Sequence, residues 1–204
     1  MLPSHTGGQT PFADNRKILQ HLHPDVSDKF RKLGWTLVRN YGNGLGLSWE
    51  DTFNGQNKAE IERHCQEKQI EVSWSGKVMR TRQTRSAIMH HPITNEECWF
   101  NHISFWHVAN LPDDVRDTML SQVGYEGLPF NTYYGDGSEI STEVAHHIRD
   151  VLLQEKKIFP WQQGDVLVAD NILTSHGREP FRGDRVVRVS LFDKLIRPAF
   201  AAGI

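Results

Sequence analysis

The chain has 204 residues, 38% of them hydrophobic and 24% charged, with a formal net charge of −2 at neutral pH. That length suffices for one substantial domain with its own core, and the balance is that of a soluble globular protein. So small a net charge gives no general attraction to nucleic acid or to an anionic membrane, and neither is expected as a partner.

In chain order, GGQTPFADN leads into a helical stretch, RKILQHL, with Asp14 or Asn15 as its N-cap. HPDVSDKFRKLG reads as a second helix, with Pro24 in its first turn and Gly34 as its stop. WTLVRNY (35–41) alternates as a strand does, and GNGLG after it is a loop that lacks the lysine of a phosphate-binding loop. NKAEIERHCQEKQ (57–69) is expected as a solvated helix. Three strand-like runs follow: IEVSWSG, VMRTRQTRSAIM and ECWFNHISFWHV. PDDVRDTMLSQVG (112–124) and STEVAHHIRDVLLQEK (141–156) are amphipathic helices, and VLVADNI and RVVRVSLF close the chain as strands. Many short strands with helices outside them predict a mainly β fold with helical insertions, a sandwich or jelly roll.

Two cysteines, Cys65 and Cys98, give neither a disulfide framework nor a metal knuckle, which suits reduced thiols in the cytoplasm. The first residues have no basic and apolar leader pattern, and no run approaches the ~18 apolar residues of a membrane span. Basic residues cluster at Lys77, Arg80, Arg82 and Arg85. A solvated strand edge explains them as well as a carboxylate-bearing substrate does.

Eleven histidines make spacing the discriminator. Two His and one carboxylate on one face of a metal leave open positions, as in non-haem Fe(II) oxygenases. His and Asp/Glu two residues apart on a strand point to the same face. The pattern His-x-Asp/Glu occurs once, at His23-Pro24-Asp25, where ordinary helix capping is the competing explanation. His90, His91, His102, His107, His146 and His147 read as packed or solvated side chains. His176 follows the run VLVADNI, and nine residues later Arg185 opens RVVRVSLF. Parity puts Arg185 with Val187, Val189 and Leu191, at the mouth of an apolar face. A ligand carboxylate or an ion pair with Asp165, Asp170 or Asp184 satisfies it equally well.

With GGQTP at one end and DNILTSHGREPFRGDR at the other, the chain resembles the taurine dioxygenase-like (TauD/TfdA-like) family of Fe(II)- and 2-oxoglutarate-dependent oxygenases. RNYGNGLGLSW, MRTRQTR, WFNHISFWH and YYGDGSEI are similar to its branch that hydroxylates amino acids in nonribosomal peptide pathways. The resemblance covers almost the whole chain and implies a double-stranded β-helix (jelly roll), with residues 1–204 as the C-terminal portion of a single oxygenase domain. Matched to the family's motifs, His176 is the distal iron ligand, Arg185 grips the far carboxylate of 2-oxoglutarate, and Thr10 is the hydroxyl beside it. Arg188 and Asn101 are candidate substrate contacts, with YYGDG as a further pocket wall. The substrate implied is a small amino acid, free or tethered to a carrier protein.

One departure stands out. The family's His-x-Asp/Glu pair precedes its Gly-Gly-x-Thr segment, whereas here six residues precede Gly7 and His5 stands alone. His23-Pro24-Asp25 comes after Thr10 and is not the displaced motif. The chain is therefore expected to lack the N-terminal part of the fold, two of three iron ligands included, and to expose strand edges and apolar surface. Two functions follow. One is an oxygenase that hydroxylates an unactivated C–H bond. The other is a non-catalytic or partner-completed module that binds a small acid, a second copy of itself or another chain.

Overall fold

The structure, a computed structural model, describes residues 7–162, 164–183, 188–193 and 195. Its elements in chain order begin with β1 (Phe12–Asp14), α1 (Asn15–His21), α2 (Pro24–Leu33) and β2 (Trp35–Tyr41). Next come α3 (Trp49–Thr52), α4 (Lys58–Glu67), β3 (Glu71–Ser75), β4 (Val78–Arg85), β5 (Ile88–His90) and β6 (Glu97–Trp99). After α5 (Ile103–Trp106) a 3-10 turn, Val108–Asn110, leads to α6 (Asp113–Val123), β7 (Phe130–Tyr134), α7 (Thr142–Glu155) and β8 (Thr174–His176). The architecture is mixed, with antiparallel sheets, and helices carry more of the described residues than the mainly β expectation allowed.

The helix ends follow their sequence signals. The Asp14 carboxylate accepts from the Arg16 amide to cap α1. Pro24 opens α2, and Gly34 closes it at φ 68°. At α4 the Asn57 side chain accepts from the Glu60 amide while the Glu60 carboxylate accepts from the Asn57 amide, a reciprocal box. The helix is not simply solvated: Ile61 and Cys65, one turn apart, are fully buried.

Two compact units are present. The first comprises Met1–Leu22, Ile88–Phe100 and Asp150–Pro198. It holds the two-stranded pairs β1-β8 and β5-β6, with α1 packed on β6; Ile18 of α1 and Cys98 and Trp99 of β6 are buried. Val166, Val168, Val189, Leu191 and Phe192 of this unit are exposed. The second comprises His23–Ala87, Asn101–Arg149 and Ala199–Ile204, around a four-stranded antiparallel sheet in the order β3-β4-β2-β7. Register pairs Trp35 with Arg85 and Arg39 with Thr81, so Trp35, Leu37, Arg39 and Tyr41 share a face with Thr81, Gln83 and Arg85. At one end of that face Tyr41, Met79, Ile61 and Cys65 form a core under α4.

Three expected strands changed. ECWFNHISFWHV is a strand only over β6. Beyond it, the Asn101 side chain accepts from the Ile103 amide and turns the chain into α5. VLVADNI forms no strand: Asp170 accepts from the amides of Ile172 and Leu173, which bends the backbone before β8. Residues 188–192 of RVVRVSLF are irregular, and Arg185 to Val187 lie outside the described residues. β7, not anticipated from sequence, pairs with β2.

His107 is a core residue of the second unit, 4% exposed. Its Nε2–H donates to the Ile140 carbonyl at 3.1 Å, and its Nδ1 accepts from the Ala109 amide at 3.1 Å. Burial, aided by nearby His146, pushes its pKa down to about 4 against the pull of the Ile140 bond. Between the ordinary histidine value and 4 the unfolded chain binds the extra proton, so stability falls as pH drops through that window. The full effect is roughly 3 kcal/mol. His107→Gln should flatten the loss of stability between pH 7 and 4 by an amount of that order, measured by urea unfolding at several pH values; an unchanged slope would remove His107 as its source.

Candidate functional site

The first unit brings the two ends of the motif set together. Gly7 bridges Phe181, and Phe12, Ala13 and Asp14 pair with His176, Ser175 and Thr174. The register is the same at both ends, so residues 7–14 run as one antiparallel ribbon beside 174–181. Between these points the Gly8 amide donates to Pro180, Glu179 to Gln9, and Gly177 to Pro11. Glycine is required at position 7, where φ is 94° and a Cβ would stand 2.3 Å from the Pro180 carbonyl oxygen.

Both backbone groups of Phe12 are spent on Lys157, at 2.9 and 2.7 Å. Phe12 and His176 are therefore a non-hydrogen-bonded pair, the kind in which side chains come closest, and their rings lie 6.4 Å apart. Thr10 is two residues from Phe12 and falls on the same face as His176. The Thr10 hydroxyl accepts from the Trp161 indole at 3.0 Å, which leaves its own proton to donate. Phe12, Phe159 and Trp161 form an aromatic row beside it, with centroids 6.0 and 5.3 Å apart. A hydroxyl donor and an imidazole thus share one face of the ribbon. Neither ring nitrogen of His176 has a protein partner among the described residues.

The loop entering β8 is tied down from several sides. Buried Asn15 donates its amide to Leu173 and its side chain to Ile172, each at 2.8 Å, and accepts from the Ser175 hydroxyl. Asp170 meets buried His91 at 3.0 Å. Burial would raise the Asp170 carboxyl, but the Leu173 amide and the His91 bond outweigh it and hold its pKa below the usual range. The sequence reads His91 only as a packed or solvated side chain; its contact is 79 residues away and leaves no local signal. Arg178, which the register sets opposite Thr10, was likewise not singled out.

The other candidates are placed as follows. Arg185 lies outside the described residues. Of its three alternative partners, Asp170 is engaged as above, Asp165 accepts from the Gln162 amide, and Asp184 lies outside the described residues. Arg188 is exposed in an irregular segment. Asn101 belongs to the second unit, where it donates to the Ala87 carbonyl and accepts from Ile103. His23 caps α2 through the Asp25 amide, with Asp25 3.7 Å away and both exposed: a helix start. Among the described residues no three His, Cys, Asp or Glu side chains form a metal-holding group. An iron of the two-His, one-carboxylate kind therefore does not fit the described residues by themselves, which offer it His176.

The sequence matches the family model described as taurine catabolism dioxygenase TauD, TfdA family over residues 2–191. It is 44% identical, over 92% of its own length and 57% of the relative's, to the dapdiamide synthesis protein DdaC of Enterobacter agglomerans. A clavaminate synthase-like protein of Arabidopsis thaliana is 26% identical over 91% of this chain and 56% of its own. The chain thus spans little more than half the length of the curated relatives it matches.

Asp170→Ala removes the shared acceptor of two amides and the partner of His91 in one step. Hydrogen exchange at Ile172 and Leu173 should quicken about tenfold, the effect of losing roughly one net hydrogen bond each. In the wild type the same protection should fade as pH falls through the lowered Asp170 pKa. Unaltered exchange in the variant would mean that Asn15 alone holds the loop.

Proposed function

The chain belongs to the taurine catabolism dioxygenase (TauD, TfdA) family, and from that premise we propose that it is part of an Fe(II)- and 2-oxoglutarate-dependent oxygenase hydroxylating an unactivated C–H bond of a small amino-acid-like substrate. The observation that carries this reading is the common face of Thr10 and His176 on the ribbon that joins residues 7–14 to 174–181. Its antiparallel pairs are read as parts of a jelly roll, within one oxygenase domain. Iron with 2-oxoglutarate supplies the oxidation in enzymes of this class.

The chain's own residues bind and orient. His176 offers one imidazole. The Thr10 proton, left free because the hydroxyl accepts from Trp161, is suited to a cosubstrate carboxylate, and Arg185 is assigned to the same carboxylate. The aromatic row of Phe12, Phe159 and Trp161 excludes water on one side. The remaining donors for iron come from outside the described residues. The relatives named for dapdiamide synthesis and for likeness to clavaminate synthase support a place in small-molecule biosynthesis, with an amino acid, free or carrier-tethered, as substrate. The cytoplasm is the proposed compartment.

A second reading, a module that binds a small acid without turnover or that another chain completes, is favoured by the absence of a three-donor group among the described residues. Anaerobic titration with Fe(II) and 2-oxoglutarate separates the two. The oxygenase reading expects a saturable visible charge-transfer band, lost in His176→Ala and shifted to at least tenfold higher 2-oxoglutarate in Arg185→Ala. A folded chain that gives no band supports the second reading, and a band that survives His176→Ala removes that residue from the metal.

A further inference from the structure

The four-stranded sheet of the second unit carries donors that the oxygenase reading does not use. On the face shared by Trp35, Leu37, Arg39 and Arg85, the Arg39 guanidinium carbon lies 4.7 Å from the Tyr41 ring centre and 5.0 Å from that of Trp106. Its Nε is shielded from solvent and bonds no protein acceptor. Trp35, 1% exposed, also leaves its Nε1 without an acceptor. Arg85, the cross-strand partner of Trp35, is partly buried and donates to the Gln83 side chain. Burial depresses the Arg85 pKa, as expected of a cation short of counter-charge. Among the described residues neither arginine has a carboxylate partner. Arg80, on the opposite face, does: Glu126 lies 2.6 Å away.

The two unmatched groups of β2 on this face are donors; the other unmatched buried atom among the described residues is the Asn110 side-chain carbonyl oxygen, in the 3-10 turn. Arg39 is half-buried and only its Nε is shielded; a shielded donor without an acceptor is costly, and an anion is the acceptor that best matches a guanidinium. The planar fork of arginine matches the two oxygens of a carboxylate, and the rings of Tyr41 and Trp106 hold that fork in place. Arg39 and Arg85 stand on neighbouring strands four residues apart along the sheet, about 14 Å between Cα positions. Two extended side chains can reach one small ligand across that span.

We propose that this face is a recognition site for a small carboxylate-bearing ligand, gripped by Arg39 and flanked by the donors of Arg85 and Trp35. The site goes beyond the oxygenase reading and stands without it. It is tested without iron or 2-oxoglutarate, at constant ionic strength, by calorimetric and tryptophan-fluorescence titration with N-acetyl-L-alanine and its uncharged isostere N-acetyl-L-alaninamide. The acid should bind at least tenfold more tightly than the amide. Arg39→Gln and Arg39→Met should abolish that preference, while Arg80→Gln and Arg185→Ala keep it. Because Arg39 is half-buried with a shielded, unmatched Nε and no carboxylate partner among the described residues, Arg39→Met should melt at or above the wild-type temperature. Equal affinity for the two probes, a preference that survives Arg39→Met, or one lost in Arg80→Gln or Arg185→Ala would overturn the proposal. So would a collapse of melting temperature in both Arg39 variants, which would mark a structural arginine.

Discussion

The antiparallel pairing of residues 7–14 with 174–181 is the constraint on which the candidate site depends. It joins segments more than 150 residues apart, and a slip of one residue would turn Thr10 and His176 to opposite faces. Few side chains in the ribbon are large enough to set register by packing, so other devices set it. The close approach of Gly7 to Pro180 admits no side chain. Asn15 holds the backbone of Ile172 and Leu173 and the hydroxyl of Ser175 from a position 1% exposed. Phe12, pinned on its other edge by Lys157, takes the pairing that brings its ring to His176. Loop-closure entropy rises only slowly with loop length, so clasping distant segments costs little more than clasping near ones. What needs encoding is the register.

Helices were legible because their ends are local chemistry. Pro24, Gly34 and the reciprocal pair of Asn57 and Glu60 act within four residues of one another or of the helix they delimit. β2 was legible by alternation. The failures share another cause: a polar side chain captured nearby amides where apolar pattern alone predicted extension. Asn101 did so after β6 and Asp170 did so before β8. Of the site, His176 and Thr10 were legible through motif resemblance. The Trp161 bond that orients Thr10 spans 151 residues and the His91 bond to Asp170 spans 79, and neither leaves a sequence pattern.

The basic cluster at positions 77–85 shows the same limit from another side. Composition could not decide between a solvated edge and a ligand site, because the decision rests on strand register. With β2 and β4 paired, Arg80 falls on one face and finds Glu126, while Arg85 falls on the other and finds only a neutral amide. Arg39, from a strand that drew no attention as a basic segment, shares the face of Arg85.

Elsewhere in the second unit, buried polar side chains meet their needs through the backbone. Asn40 donates to Glu126 and Leu128, Asn131 accepts from the Val108 amide, Thr132 donates to Ile103, and neutral His107 spans Ala109 and Ile140. A satisfied pair of this kind adds little net stability, about 1 kcal/mol, whereas an unsatisfied one costs more than that. A chain that resolves so many buried groups and yet leaves the Arg39 and Trp35 donors unmatched on one face has not simply packed poorly. The one other unmatched buried atom among the described residues, the Asn110 side-chain carbonyl oxygen, lies in the 3-10 turn; the two on β2 are both donors on one side of the sheet, the pattern of a surface complementary to an anion.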